Sequence, residues 1–222
     1  DSYGSRGLGD VYKRQNRYSG ISWSTDEVAF LYDYWWNTRN EKTYTFNPSK
    51  KDDSPEIIFD RNYQDKYNDP GNLVMIKNEY GRKIVHQEEG VVSLISDGFT
   101  KEGQFSTLYT MNLSSGTKQT LYKSKMADKL ENIIRYIPKT GQVITRMESP
   151  NEFPNYYIKK LKSKKPSALT SFENPFKGLE DVHKEVITYK REDGIELSGT
   201  LYLPLGYDQE KKENVPLIMW AY

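Results

Sequence analysis

Cysteine is absent from this chain, and histidine occurs only twice, at His86 and His183. The first absence excludes disulfides and thiolate chemistry. Two isolated histidines without cysteine cannot supply the usual zinc ligand sets, and the acidic residues show no calcium-loop spacing, so no metal site is expected. Glycine-rich phosphate loops of the P-loop and dinucleotide types are missing, and no cofactor is expected. No window approaches the ~18 apolar residues that a membrane helix needs, so no membrane partner is expected. An excess of one charge is lacking too. With 32 basic and 31 acidic residues the net charge is +1, which gives no electrostatic case for nucleic acid. Long 3.6-residue periodicity is also missing, and the nearest helical candidate, Met126–Glu131, amounts to a short turn.

The N-terminal stretch has neither an apolar signal core nor strand or helix periodicity. Residues 1–19 are read as a disordered or foreign segment, with Asp1–Gln15 the part that shows no pattern at all. Lack of cysteine fits cytoplasm and periplasm alike. The compartment is taken as periplasmic or secreted, with the cytoplasm as the alternative.

What the chain does have is tyrosine, 18 of them, within an aromatic content of 14%, and this favours β structure. From Gly20 onward, short alternating runs separated by turn residues recur with a spacing of roughly 50 residues, in the range of four-stranded propeller blades. The first unit takes Gly20–Trp23, Val28–Trp35, Thr43–Phe46 and Glu56–Asp60 as strands. The second takes Leu73–Lys77, Lys83–Ile95 with an interruption at Gln87–Gly90, Phe105–Met111 and Lys118–Tyr122. The third takes Asn132–Ile137, Gln142–Met147, Asn155–Leu161 and Ser167–Thr170. One meander cannot bury both of its faces, and stacking neighbours buries them together. The expected fold is mostly β: a partial β-propeller of about three four-stranded blades over residues 20–170, with earlier blades missing. An open β-sandwich is the alternative.

Residues 171–184 break the pattern with Pro175 and Gly178 and read as a linker. Residues 185–222 then show two alternating runs around Asp193-Gly194, a hairpin signal, and a solid apolar run, Val215–Tyr222. Such a run is expected to form a strand buried on both faces of a sheet. Nothing follows to cover it, so the chain reads as a piece of a larger protein.

This order of blades, linker, hairpin and apolar strand resembles the prolyl oligopeptidase family of serine peptidases, and within it the glutamyl endopeptidase branch. The resemblance rests on ISWSTDEVAFLYDYWWNTR (Ile21–Arg39), IIFDRNYQDKYNDPG (Ile57–Gly71), and LYLPLGYD with the following LIMWAY, the most specific of the three. It implies that residues 185–222 begin an α/β-hydrolase domain and that the blades restrict entry to short peptide substrates. The implied chemistry is acyl transfer by a Ser-Asp-His triad. The nucleophile elbow G-x-S-x-G does not occur here, and His86 and His183 match no triad position. The chain by itself is therefore expected to be inactive. Tyr222 matches the tyrosine that in this family donates its hydroxyl to the oxyanion; the plain alternative is an aromatic at a strand end.

A glutamate-preferring peptidase needs a cation for the substrate carboxylate, and the arginine fork suits it. Arg39 is the first candidate, with Arg61, Arg135 and Arg146 also open; the ordinary role of each is a surface charge. Tyr32, Tyr34 and Trp36 share a strand face opposite Trp35; lining a central channel is one role for such a stripe, and blade-to-blade packing is the commoner. Glu88-Glu89 reads as a solvated loop, and the basic stretch Lys159–Lys165 as a solvated edge that discourages strand pairing. The function class that competes with a peptidase is a non-catalytic propeller binding a partner protein or glycan. Oligomeric state is not legible.

Overall fold

The computed structural model describes residues 16–52, 54–125, 128–163, 165–179, 181–211 and 213–221. The chain divides into two units, one of residues 1–149 with 154–172 and one of residues 150–153 with 173–222. The mostly β expectation holds: apart from 3-10 turns at Pro138–Thr140 and Lys177–Leu179, every regular element described is a strand.

In the first unit three antiparallel sheets follow one another along the sequence. The first sheet is a meander of β1 (Arg17–Trp23), β2 (Ala29–Trp35), β3 (Asn40–Phe46) and β4 (Glu56–Asn62), in that order. The middle region contains β5 (Asn72–Leu73), β6 (Met75–Lys77), β7 (Lys83–Val85), β8 (Gln87–Glu88), β9 (Val91–Ser96), β10 (Phe99–Thr100), β11 (Gly103–Gln104), β12 (Thr107–Asn112) and β13 (Lys118–Lys123). Its main sheet runs β13-β12-β9-β5, with β8 also on β9. The third sheet orders β14 (Leu130–Ile137), β15 (Gln142–Ser149), β16 (Glu152–Lys160) and β17 (Ser167–Ala168).

The middle sheet is covered on both faces, and the two-residue period of a strand explains which residue serves which core. Val92 and Leu94 of β9 with Tyr109 and Met111 of β12 pack against Phe30 of the first sheet. Leu108, one residue out of phase, packs with Val74 and with Ile133 and Val143 of the third sheet, and Ile95 joins them. A polar clasp ties the same two sheets: Tyr122 of β13 donates to Glu131 of β14 at 2.5 Å, and Lys159 of β16 reaches Glu131 at 3.0 Å.

Several expectations change. Leu73–Lys77 is not one strand. The N–H of Val74 donates to Ser93 and its carbonyl accepts from His86, so the chain leaves β9 after Leu73 and pairs with β7 from Met75. The small hairpin β10–β11 was not anticipated, because its two-residue strands are too short to show alternation. Of the supposed turn Met126–Glu131, Met126 and Ala127 lie outside the described residues, and Leu130 and Glu131 open β14. Trp36 leaves the stripe because β2 ends at Trp35. The basic stretch is not simply a solvated edge, since Lys159 is buried in the clasp, its side chain 11% exposed.

The second unit holds the hairpin of β18 (Lys184–Lys190) and β19 (Glu196–Tyr202), paired in unbroken register from Lys184↔Tyr202 to Lys190↔Glu196. Its turn closes through Gly194 N–H to Arg191 carbonyl and Arg191 N–H to Ile195 carbonyl, and Gly194 takes the left-handed conformation (φ 84°) that such a bulged turn requires. The apolar run departs from expectation: residues 213–221 form no strand, and Leu217, Ile218, Met219 and Trp220 are exposed. A strand needs a partner for its backbone groups, and among the described residues none pairs with this one.

Candidate functional site

The inner face of the first sheet builds the site. Alternation along β2 puts Phe30, Tyr32 and Tyr34 on one face, and register brings Tyr32 opposite Thr43 and Tyr34 opposite Glu41. On the next strand Thr43 faces Phe59 and Glu41 faces Arg61. Two cross-strand rows result, an aromatic one at Tyr32-Thr43-Phe59 and a charged one at Tyr34-Glu41-Arg61. With the segment Asp69–Leu73 and residues Met75 and Leu94, these rows line a solvent-open cavity of about 490 Å³.

Arg61 is its electrostatic centre. Nε donates to Glu41 Oε1 at 3.0 Å, and Nη2 lies 3.0 Å from the same oxygen and 3.4 Å from Asp69 Oδ1. Nη1 is buried and has no hydrogen-bond partner among the described residues. Asp33 also borders the cavity, yet its carboxylate accepts from Tyr44 at 2.8 Å and from Asn16 at 2.9 Å. Alternation puts Asp33 on the face opposite Tyr32 and Tyr34.

The Asp69 wall is pinned by the middle sheet. Tyr109 donates to the Pro70 carbonyl at 2.6 Å, and Ser96 donates to the Asp69 carbonyl at 2.9 Å. Gly71 sits at φ 81°, and a Cβ there would lie 2.0 Å from the Ile95 carbonyl oxygen, so only glycine fits this approach. Burial, with Asp69 adding to it, pushes the Tyr109 hydroxyl up to about 12. Burial also raises Tyr32, against the opposing effect of its hydrogen bond with Ser22.

Arg39 is not among the residues that line this cavity. It occupies a turn at φ 58°, donates to Tyr63 Oη at 3.2 Å, and stands 5.4 Å from the Trp36 ring centroid. Tyr63 meets Tyr34 edge-on at 6.4 Å. No carboxylate pairs with Arg39 among the described residues. Arg146 is held by both carboxylate oxygens of Glu148, at 2.6 and 3.1 Å, and Arg135 is exposed. His86 and His183 each lie 3.3 Å from a nearby glutamate, Glu88 and Glu185 respectively. Glu88 lies in β8 and Glu89 in the turn that follows. Tyr222 lies outside the described residues.

Sequence reasoning weighed Arg61 but missed its two carboxylate partners. Glu41 and Arg61 are opposite only once the β3–β4 register is fixed, and Asp69 arrives from a loop without periodicity.

No family model matches the chain. A protein of Oryza sativa subsp. japonica named "Probable glutamyl endopeptidase, chloroplastic" is 33% identical over 226 residues, covering 96% of this chain and 24% of its own length. A protein of the same name from Arabidopsis thaliana is 31% identical over 227 residues, with coverages of 96% and 24%. Over nearly its whole length this chain is similar in sequence to two proteins named as glutamyl endopeptidases. The resemblance to the prolyl oligopeptidase family drawn from its motifs is borne out, and the chain spans about a quarter of the length of these relatives. Among solved structures, oligopeptidase B of Trypanosoma brucei overlaps 87% of this chain and 33% of its own at a TM-score of 0.44 and 12% identity.

Proposed function

We propose that this chain is the gate portion of a longer serine peptidase that cleaves peptides after glutamate. The observation that carries the reading is the 33% identity, across 96% of the chain, to a rice protein named as a glutamyl endopeptidase. In this reading the three antiparallel sheets are consecutive propeller blades, and the two cores between them are blade-to-blade contacts. Residues 171–184 are the linker, and the hairpin of β18 and β19 begins an α/β-hydrolase domain. The serine, aspartate and histidine belong to sequence beyond this chain, which by itself does not hydrolyse peptides. Tyr222 donates its hydroxyl to the oxyanion, a role a phenol performs without carrying charge.

For the substrate carboxylate, Arg39 is favoured over Arg61 and Arg146. Arg61 already serves two carboxylates and Arg146 one, so a further anion at either would be repelled. Arg39 has aromatic neighbours and no carboxylate among the described residues, which leaves its fork free for a glutamate side chain. The test is steady-state cleavage by the full-length protein of matched peptides carrying Glu or Gln before the scissile bond. The reading expects a higher kcat/KM for Glu. Equal values would sink the glutamyl assignment, and cleavage of neither peptide would sink the peptidase.

A further inference from the structure

The pairing of β3 with β4 reaches Asn40↔Asn62, and the N–H of Tyr63 extends it by donating to the Arg39 carbonyl at 2.8 Å. Arg39 and Tyr63 are therefore the next pair across the two strands. The Arg39 backbone lies at φ 58°, a left-handed conformation that suits asparagine or glycine better than arginine, so its surroundings must hold it there. Side-chain contacts do so. Arg39 Nη1 donates to Tyr63 Oη at 3.2 Å, the guanidinium stands 5.4 Å from the Trp36 ring centroid, and Tyr63 meets Tyr34 edge-on at 6.4 Å. Trp36 is 56% exposed and Tyr34 45%, so the cluster opens to solvent. A phenol both accepts and donates. With its oxygen taken by Nη1, the Tyr63 hydroxyl keeps a proton to give, and no described residue accepts it. The other guanidinium N–H groups of Arg39 likewise have no hydrogen-bond partner among the described residues. A hydroxyl that accepts from a cation becomes a better donor, because each bond polarises the next.

We propose that Tyr63 is a specificity-determining residue of the Arg39 site: its hydroxyl and the guanidinium together hold the side-chain carboxylate of the substrate glutamate. The inference rests on the glutamyl reading of Arg39 and adds to it a donor without charge. Free donors on hydrogen-bonded neighbours suit the two oxygens of one carboxylate. A glutamine amide offers one acceptor oxygen, and its NH2 would meet a second donor head-on. The pair therefore separates Glu from Gln by unmatched donors as well as by charge. Trp36 and Tyr34 restrict the two side chains before substrate arrives, which lowers the ordering cost of binding.

Steady-state cleavage of matched Glu and Gln peptides by the full-length wild type, Tyr63→Phe, Arg39→Met and the double variant tests it. Phenylalanine keeps the ring against Tyr34 and removes only the hydroxyl. Tyr63→Phe is expected to lower kcat/KM for the Glu peptide by about tenfold, the worth of one hydrogen bond to a charged group, and to leave the Gln peptide within about twofold. The Gln peptide, read on the same preparation, reports that the variant is folded. In the Arg39→Met background the hydroxyl loses the cation that orients it, so adding Tyr63→Phe is expected to cost the Glu peptide less than about threefold. A wild type that cleaves both peptides equally would overturn the glutamyl reading and this inference with it. A wild type that prefers Glu would overturn the role of Tyr63 alone in any of three cases: Tyr63→Phe keeps that preference, it slows both peptides in the same proportion, or it costs as much without Arg39 as with it.

Discussion

Replacing Lys159 by methionine tests whether the clasp between the middle and third sheets is a real source of stability. The lysine Nζ lies 3.0 Å from Glu131 Oε1 and 2.5 Å from Tyr122 Oη, and Tyr122 donates to the other Glu131 oxygen at 2.5 Å. The lysine and glutamate side chains are 11% and 10% exposed, so neither charge has much water. Burial first, then Glu131, raises the Tyr122 hydroxyl, which stays protonated and donating through neutral pH. Methionine keeps the packing of the lysine stem and strands the carboxylate with one neutral donor. Breaking one side of a buried pair costs about 3–5 kcal/mol, and the surviving Tyr122 bond puts this case near 3. For a chain of this size that is a fall in Tm of about 6–12 °C. Adding Glu131→Gln removes the stranded charge, so the double variant should recover most of the loss. Urea and thermal unfolding of the wild type, both single variants and the double variant close the cycle. A Lys159→Met cost under about 1 kcal/mol, or a double variant no better than the single, would refute the reasoning.

Other outcomes follow from the site. Arg39→Met in the full-length protein should lower kcat/KM for a Glu peptide by about tenfold to a hundredfold while leaving the Gln peptide unchanged, the worth of a charge-assisted bond; an equal loss on both would reject its role. Tyr222→Phe should lower kcat by about ten- to a thousandfold with KM little changed, and an unaltered kcat would remove it from the oxyanion site. Tyr109 is held up at about 12, above its ordinary 10, so the folded state keeps a proton that the unfolded chain loses. Its contribution is whole below pH 10 and drains as pH rises toward 12, at up to about 1.4 kcal/mol per pH unit. Tyr109→Phe should flatten that slope in denaturant titrations above pH 9.5, and an identical slope would contradict the assignment.

Local alternation carried most of the first unit. Val28–Trp35 and Asn132–Ile137 declare their strands through alternation of apolar and polar residues, and β2 and β14 lie where they predict. Partner choice was not legible. Val74 reads as the middle of a strand, yet its backbone bonds to Ser93 and His86 make it the point where the chain changes partners. The apolar run after Val215 has strand composition without a neighbouring strand among the described residues, and composition cannot supply one. Nor could charge spacing reveal the clasp, since Lys159 lies in a basic stretch that looks solvated until β16 brings it to Glu131. Arg61 was legible as an arginine but not as a shared partner of Glu41 and Asp69, which depends on register and on a loop pinned by Tyr109.

The proposed serine nucleophile lies outside these 222 residues. Treating the full-length protein with a fluorophosphonate and locating the label by peptide mapping addresses that directly, since only an activated serine is modified. The account predicts a single labelled serine beyond Tyr222 and no label on the chain Asp1–Tyr222 by itself. A full-length protein that takes no label, or a label on a serine within this chain, would contradict it.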